Sequence, residues 1–214
     1  MSDHDFNFEP QPGIPAPLPK GEEILWQGSP SVAALARDAF KIRWITGYLL
    51  VLAVWRAAVA FAEGGLVFML ATLLPYLALA AAGYGVVYLL ARAQARAAIY
   101  TITTARVILR IGAALPVTYT IPFSCIDNAS VSVTPADGTG TLALETKGNM
   151  RLSYAVLWPH ARPGHIRLPQ PAFRSIPEAA RVARILADAA QAKVNEPVIS
   201  RAAPSEAPGL AAAS

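Results

Sequence analysis

Residues 45–90 decide the fold: ITGYLLVLAVWRAAVAFA (Ile45–Ala62), then EGG (Glu63–Gly65), then LVFMLATLLPYLALAAAGYGVVYLL (Leu66–Leu90). Each apolar run is long enough to cross the hydrocarbon core of a bilayer as a helix, which takes about 20 residues. Only three residues separate the two runs. The sequence therefore predicts a hairpin of two transmembrane helices within residues 44–91.

The basic residues that flank this hairpin predict its orientation. They precede the first run and follow the second, whereas the connecting turn has none. Because Lys and Arg near helix ends stay on the cytoplasmic side, we expect a multi-pass inner-membrane protein with both termini in the cytoplasm. The residues predicted to lie at the membrane surface, facing anionic lipid headgroups, are Arg37, Lys41, Arg43, Arg92 and Arg96.

The composition agrees with a membrane protein. The 214 residues are 54% hydrophobic and 15% charged, against about 25% charged in soluble domains. The net charge of +4 is explained by the basic residues beside the membrane, and no basic–aromatic module for nucleic acid is present. The lone Cys125 excludes an intramolecular disulfide. The acidic start, Met1–Pro10, is not a cleavable signal peptide.

The chain before the hairpin divides into two parts. Residues 1–20 contain five prolines, so we expect an extended or disordered tail, with a short docking segment as the alternative. Residues 21–43 predict a short strand at 22–28 and then an amphipathic helix, which Ser31 caps and which extends through Phe40. We expect this helix to lie on the membrane surface.

Two features inside the hairpin suggest contacts. Arg56 is an intramembrane charge, which costs about 2.5–3.5 kcal/mol on insertion scales; it either snorkels towards Glu63 or contacts another subunit or a pigment. Small residues spaced four apart in the second run allow close helix approach. The tyrosines of the second run that we predict to face partner helices are Tyr76, Tyr84 and Tyr88.

After Arg96 the apolar pattern changes from helical to alternating. Short strands are predicted around residues 98–104, 107–111, 117–121, 129–133, 142–144 and 150–156. Hairpin turns are predicted at residues 135–138 and 147–149. Strands at such close spacing favour a small antiparallel barrel or sandwich.

The last third of the chain predicts an irregular loop and one helix. Residues 157–174 are dense in Pro and Arg, and Ser175–Glu178 has the pattern of a capping box. It is expected to open an amphipathic helix that ends near Lys193 and carries a stripe of Ile176, Ala180, Ala183, Leu186 and Ala190. Residues 195–214 are expected to be a disordered tail. The predicted fold is thus α+β: a transmembrane hairpin, then a barrel or sandwich plugged by a C-terminal helix, in residues 97–194, which is a pleckstrin-homology-like architecture.

Catalytic motifs are absent from the sequence. It contains no nucleophile elbow, P-loop, dinucleotide fingerprint or HExxH. His160 and His165 are five residues apart in a proline-rich loop, and we expect them to be polar loop residues. We therefore predict a protein that is not an enzyme, with no cofactor and no metal site.

Two motifs resemble the bacterial PH-domain membrane-protein family. They are GEEILWQG (Gly21–Gly28) before the hairpin and YTITTARVI (Tyr100–Ile108) after it. In that family the second motif forms the first hairpin of the PH barrel. The resemblance implies a PH-like domain and leaves the function open.

Three further strings are similar to a family of photosynthetic complex assembly proteins of purple bacteria. They are DFNFEP (Asp5–Pro10), LWPHARP (Leu157–Pro163) and PAFR (Pro171–Arg174). The pattern departs at Gly164, where the family has Trp. This resemblance implies a non-catalytic assembly factor for the reaction centre and core light-harvesting antenna in the intracytoplasmic photosynthetic membrane. Its expected partners are subunits of those complexes, and a homodimer is also plausible for the family.

Two interpretations of the loop before Pro163 stay open. Trp158, His160 and Arg162 combine residue types that are enriched at interfaces, so we predict that they contact a partner. In the alternative, the loop is tucked under the C-terminal helix and Trp158 continues the buried face of Tyr154 and Val156. The alternative function for the whole chain is a membrane-anchored, PH-like lipid-sensing or regulatory module, and a membrane enzyme or transporter would need a polar cavity between the spans.

Overall fold

The computed structural model describes residues 12–147 and 152–195. In chain order the elements are β1 (Ile24–Gly28), α1 (Val32–Asp38), α2 (Ile42–Ala97), β2 (Ile99–Thr103), β3 (Arg106–Ile111), β4 (Val117–Pro122), β5 (Ile126–Val133), β6 (Gly140–Thr146), α3 (Tyr154–Leu157), β7 (Ala172–Ile176) and α4 (Ala179–Val194). A single 3₁₀ turn, Phe123–Cys125, joins β4 to β5.

The strands form two antiparallel sheets, and α4 packs against β1, β5 and β6. The first sheet has the order β1-β2-β3-β4 and the second the order β5-β6-β7. One apolar core fills the space between them and takes in side chains such as Tyr100, Leu109, Leu144 and Leu186. The α+β class and the antiparallel strands predicted after Arg96 are confirmed. The two sheets do not close into a barrel, so that form of the prediction is wrong.

Strand β1 belongs to the same sheet as β2, although α1 and α2 lie between them in the sequence. Gly28 pairs with Tyr100 and Trp26 with Ile102. The folded domain therefore begins before α2, whereas the sequence predicted a domain confined to residues 97–194. Local periodicity identifies a strand but says nothing about its distant pairing partner, which is why the sequence placed β1 outside the domain.

The long helix α2 contains 56 residues and is broken once, at Gly65. Gly65 has φ 70° and ψ −161°, a conformation that only glycine adopts readily. Residues from the two sides of this break are in contact: Ile42 clusters with Ala91, and the Leu49 side chain lies against Gly83. Within the described residues, α2 is the one helix long and apolar enough to cross a membrane.

The described part of the N-terminal segment is packed against the domain. Ile14 is buried, and the Gln27 side-chain amide donates a hydrogen bond to the carbonyl of Pro12 (2.9 Å). Gly13 has φ 85°, and a Cβ there would lie 2.6 Å from the side chain of Ile99. For residues 12–20 the prediction of a free tail is therefore wrong. Residues 1–11 lie outside the described residues.

Helix α1 packs against α2 and β7. Ser31 precedes it as predicted but makes no side-chain capping bond; its amide donates instead to the carbonyl of Ser175 (2.8 Å). The buried residues of α1 are Ala34, Leu35 and Ala36. Its apolar face is thus covered largely by protein, which leaves little of it for the membrane surface.

Two predictions about the C-terminal part are wrong. A last strand is expected at 150–156, but Tyr154–Leu157 form the short helix α3. Residues expected to be loop and capping box form β7 instead, because Phe173 pairs with Leu142 and Ala172 with Ala143. The prolines on both sides of β7 favoured a loop in the sequence.

Helix α4 begins at Ala179 and ends at Val194, close to the predicted end. Glu178 occupies the position before it with φ 51° and no side-chain cap. The buried stripe is Ala179, Val182, Leu186 and Ala189, which is rotated from the predicted one, and Ala180 is exposed. The turn predicted at 135–138 joins β5 to β6, whereas most of the turn at 147–149 and the tail after residue 195 lie outside the described residues.

Candidate functional site

His160 is a buried structural residue. Its ring is fully enclosed, and its Nδ1 lies 2.6 Å from the hydroxyl of Tyr100. The Tyr100 hydroxyl also accepts a hydrogen bond from the amide of Arg174 (3.3 Å), so its own proton is available for Nδ1. Burial, and then the charge of Arg174, lowers the pKa of His160 to about 3. The prediction of a polar loop histidine that contacts a partner is therefore wrong.

Trp158 and Arg162 lie at the surface on either side of His160. The Trp158 ring is exposed over nearly half its area and contacts Phe40 edge-on, with ring centroids 5.0 Å apart. Arg162 donates to the Gln170 side-chain oxygen (2.9 Å). Trp158 thus packs beside the end of α1 and not under α4, which corrects the tucked-loop interpretation. Both side chains keep enough exposed surface to contact a partner.

A buried aromatic stack supports this loop from below. Tyr100 stacks on Phe173 with ring centroids 4.5 Å apart, and Phe173 stacks on Trp26 at 5.8 Å. The three rings come from β2, β7 and β1. Sequence reasoning missed this stack because β7 was not recognised and β1 was assigned to a separate segment.

The tyrosines of α2 differ in exposure. Tyr84 is exposed and stacks on Tyr88 with centroids 6.3 Å apart. Tyr88 packs against the cluster of Ala36, Ile42 and Ala91, and Tyr76 is half-buried. Of the three, Tyr84 presents the most surface to a neighbouring helix. Arg56 is half-exposed and, within the described residues, forms no ion pair with Glu63.

Four of the five predicted membrane-surface cations are exposed: Lys41, Arg43, Arg92 and Arg96. They lie at the two ends of α2. The fifth, Arg37, is held by ion pairs to Asp137 (2.6 Å) and Asp38 (2.8 Å). It connects α1 to the turn between β5 and β6, a role that the sequence gave no means of foreseeing. A cleft of about 420 Å³ is lined by Arg37, Asp38, Lys41, Arg43 and Trp44.

A groove of about 730 Å³ lies between β5 and α4. Its walls are mostly apolar and include Ile126, Val131, Leu142, Leu186 and Ala190. Strand β5 is an edge of its sheet, so its outer backbone groups face the groove rim. This arrangement suits the binding of apolar side chains, and Asp127, Lys147 and Lys193 add charged groups to its lining. Within residues 12–147 and 152–195, no three His, Cys, Asp or Glu side chains are grouped as metal ligands.

Comparison with known families identifies the domain. The family model described as bacterial PH domain matches residues 40–190. The chain belongs to this family. The match begins at the end of α1 and ends within α4, and so it takes in α2 and both sheets except β1.

A relative is known over the full length. The chain is 63% identical over 214 residues, covering 100% of both chains, to a protein of Rhodobacter capsulatus named "Uncharacterized 23.7 kDa protein in puhA 5'region". No solved structure gives a significant match to the chain.

Proposed function

We propose that this protein is a non-catalytic membrane assembly factor that promotes formation of the photosynthetic reaction centre and its core light-harvesting antenna. The observation that carries the proposal is the full-length relative, whose name places its gene in the 5′ region of puhA. In this chain, the motifs at residues 5–10 and 157–163 resemble those of the assembly protein PuhB of purple bacteria. This resemblance supports the same role.

The proposed topology is a helical hairpin that crosses the inner, intracytoplasmic membrane twice. A straight helix of 56 residues would be about 84 Å long at 1.5 Å per residue, far more than the ~30 Å of a bilayer core. The pairing of Gly28 with Tyr100 brings the two ends of the intervening chain together. The break at Gly65 and the contacts of Ile42 with Ala91 also support a reversal, with both termini in the cytoplasm.

The proposed mechanism is scaffolding by surface. The lipid-facing side of α2, with the exposed Tyr84, would contact membrane helices of unassembled subunits. Trp158, which contacts Phe40 near the start of α2, and Arg162 in the same loop would contact the polar ends of those helices. These residue types carry much of the binding energy at protein interfaces.

The test replaces the chromosomal gene with variants and measures the absorbance of reaction centre and core antenna in membranes. Trp158→Ala combined with Arg162→Ala should lower both complexes while the variant protein stays in the membrane at its normal amount. Val194→Ala, an exposed apolar position on α4, is the matched control and should assemble normally. Normal complex levels in a deletion strain would refute the proposed function.

A further inference from the structure

The folded domain exposes large apolar side chains at the tips of two loops. Leu115, in the turn between β3 and β4, is 80% exposed. In the loop before β7, Ile166 is 68% and Leu168 is 77% exposed, and Arg167 between them is exposed as well. Scattered apolar side chains at a protein surface need no explanation, so the question is whether these three share a side of the molecule.

The β3–β4 turn lies on the side of the domain from which α2 departs. Strand β2 starts at Ile99, directly after α2 ends at Ala97, and Ile99 pairs with Arg110 near the end of β3. Because the two strands are antiparallel, β2 runs away from α2 and β3 runs back towards it. The turn that carries Leu115 therefore projects towards the end of α2.

The loop before β7 projects in the same direction. At the start of α1, Ser31 donates to Ser175, near the end of β7. Just after the end of α1, Phe40 contacts Trp158. Helix α1 therefore leads from the end of β7 towards Trp158 and on to the start of α2.

A short stem holds the loop in this position. The backbone amide of Ala172, the first residue of β7, donates to the carbonyl of His160 (2.8 Å). The backbone amide of Arg162 donates to the carbonyl of Gln170 (2.9 Å). The bridge between Ala161 and Pro171 lies between these two bonds. The tip with Ile166 and Leu168 thus extends beyond Trp158, on the side where α2 begins.

We propose that these two loop tips insert into the lipid interface of the membrane that α2 crosses, so that the domain rests on the bilayer and does not hang free from its helix. The inference rests on the proposed membrane crossing by α2. Residue types that favour the membrane interface lie at the ends of α2, towards which the tips project: Trp44 is 80% exposed, and the exposed cations are Lys41, Arg43, Arg92 and Arg96. Aromatic side chains and cations near anionic headgroups anchor proteins at this depth.

Fluorescent labelling of the full-length protein in vesicles of phosphatidylcholine and phosphatidylglycerol tests the proposal. In a Cys125→Ser background, single cysteines are introduced by Leu115→Cys, Ile166→Cys or Leu168→Cys and labelled with an environment-sensitive probe. Lipids with a quencher just below the headgroup should quench all three probes and shift their emission to the blue. The sites are exposed, so labelling leaves the core intact.

Val194→Cys is the matched control. Val194 is 78% exposed, and its neighbours Lys193 and Asn195 line the same cleft as Thr104 and Arg106, at the end of the sheet remote from α2. Its probe should remain unquenched. Replacing Leu115 and Leu168 by Ser should reduce the quenching at Ile166→Cys, because the insertion is apolar, whereas Val194→Ser should not.

Two results would overturn the proposal. Probes at positions 115, 166 and 168 that behave like the probe at 194 would show that the tips stay in water. Probes shielded in native membranes but not in pure lipid vesicles would show that a protein partner covers them. A probe at Val67→Cys, in the exposed part of α2, separates the insertion of the tips from the membrane crossing by α2. If this probe escapes lipid quenching, the proposed crossing is wrong, and this inference fails with it.

Discussion

At the scale of single residues, the hydroxyl of Tyr100 joins three parts of the domain. It lies on β2, contacts Nδ1 of His160 and accepts the amide of Arg174 on β7. All three groups are buried. A buried polar group that loses its partner costs more than the hydrogen bond is worth, so this hydroxyl should matter for stability.

We therefore expect Tyr100→Phe to lower the free energy of unfolding by about 1–3 kcal/mol. The ring stack on Phe173 would survive, but Nδ1 of His160 and the Arg174 amide would lose their partner. Thermal unfolding in detergent measures the effect. Tyr119→Phe is the control, because Tyr119 is only partly buried at the core, and a loss as large in this variant would contradict the assignment.

The buried His160 also predicts a pH dependence. Below its ordinary pKa of 6.5 the unfolded imidazole binds a proton, whereas burial keeps the folded ring neutral down to about 3. The unfolded state then binds more protons, so stability falls as the pH falls through this window, by up to about 1.4 kcal/mol per unit. Hydrogen bonds from Thr139 and then from Arg37 lower the pKa of Asp137 to about 2, so in the folded state this carboxylate stays charged between pH 7 and pH 5.

Melting temperatures between pH 7 and pH 5 test this dependence. His160→Asn should flatten the slope, whereas His165→Asn, at a more accessible position, should keep it. Sequence reasoning placed both histidines in a polar loop. It could not separate them because the group that buries His160 comes from β2, sixty residues earlier in the chain.

At the scale of elements, the break in α2 depends on one glycine. Gly65 combines φ 70° with ψ −161°, and a Cβ there would meet no atom within 4 Å. The obstacle to a side chain is thus the backbone conformation and not space. The two apolar runs and the position of the break could be predicted from the sequence alone, because the length of an apolar run and the place of a glycine are local signals.

Gly65→Ala should lower stability by about 1–3 kcal/mol, the cost of a residue held in a sparsely populated backbone region. Gly85→Ala is the matched control, because its Cβ also meets open space and alanine favours a helix. Thermal unfolding in detergent should therefore show a loss for the first variant and none for the second. Equal melting temperatures would mean that the break tolerates any residue.

The strands could be predicted where apolar and polar residues alternate in the sequence. The prediction failed where they do not. Strands β2 to β6 follow the predicted apolar alternation closely. Strand β7 is AFRSI, between Pro171 and Pro177, and all five of its residues are buried. Arg174 and Ser175 interrupt its apolar residues, so the sequence offered no clear alternation, and the proline-rich context favoured a loop.

At the scale of the whole molecule, the domain is assembled from both sides of α2. The pairing of β1 with β2 and the contact of Trp26 with Phe173 make residues 12–28 part of the core. The candidate surface residues on the loop and on α2 could be predicted from the sequence, because their residue types are common at interfaces. The groove between β5 and α4 was not, because it depends on how the sheet and the helix meet.

A shortened chain tests this unity. Replacing residues 41–97 by a flexible glycine–serine linker should give a soluble protein that folds, because α1 and β1 keep their contacts with β7 and β2. The same chain without residues 12–28 should lack dispersed amide signals in NMR spectra, since it loses an edge strand and the Trp26 ring. A well-folded protein in both cases would show that β1 is dispensable.

The split of one sheet around α2 also has a consequence during synthesis. The ribosome delivers β1 first and cannot deliver β2 until every residue of α2 has been translated. Completion of the first sheet therefore has to wait until α2 has been made. Until then the row of backbone groups of β1 that bonds to β2 has no partner strand, and the earliest strand of the sheet depends on a strand that is made later.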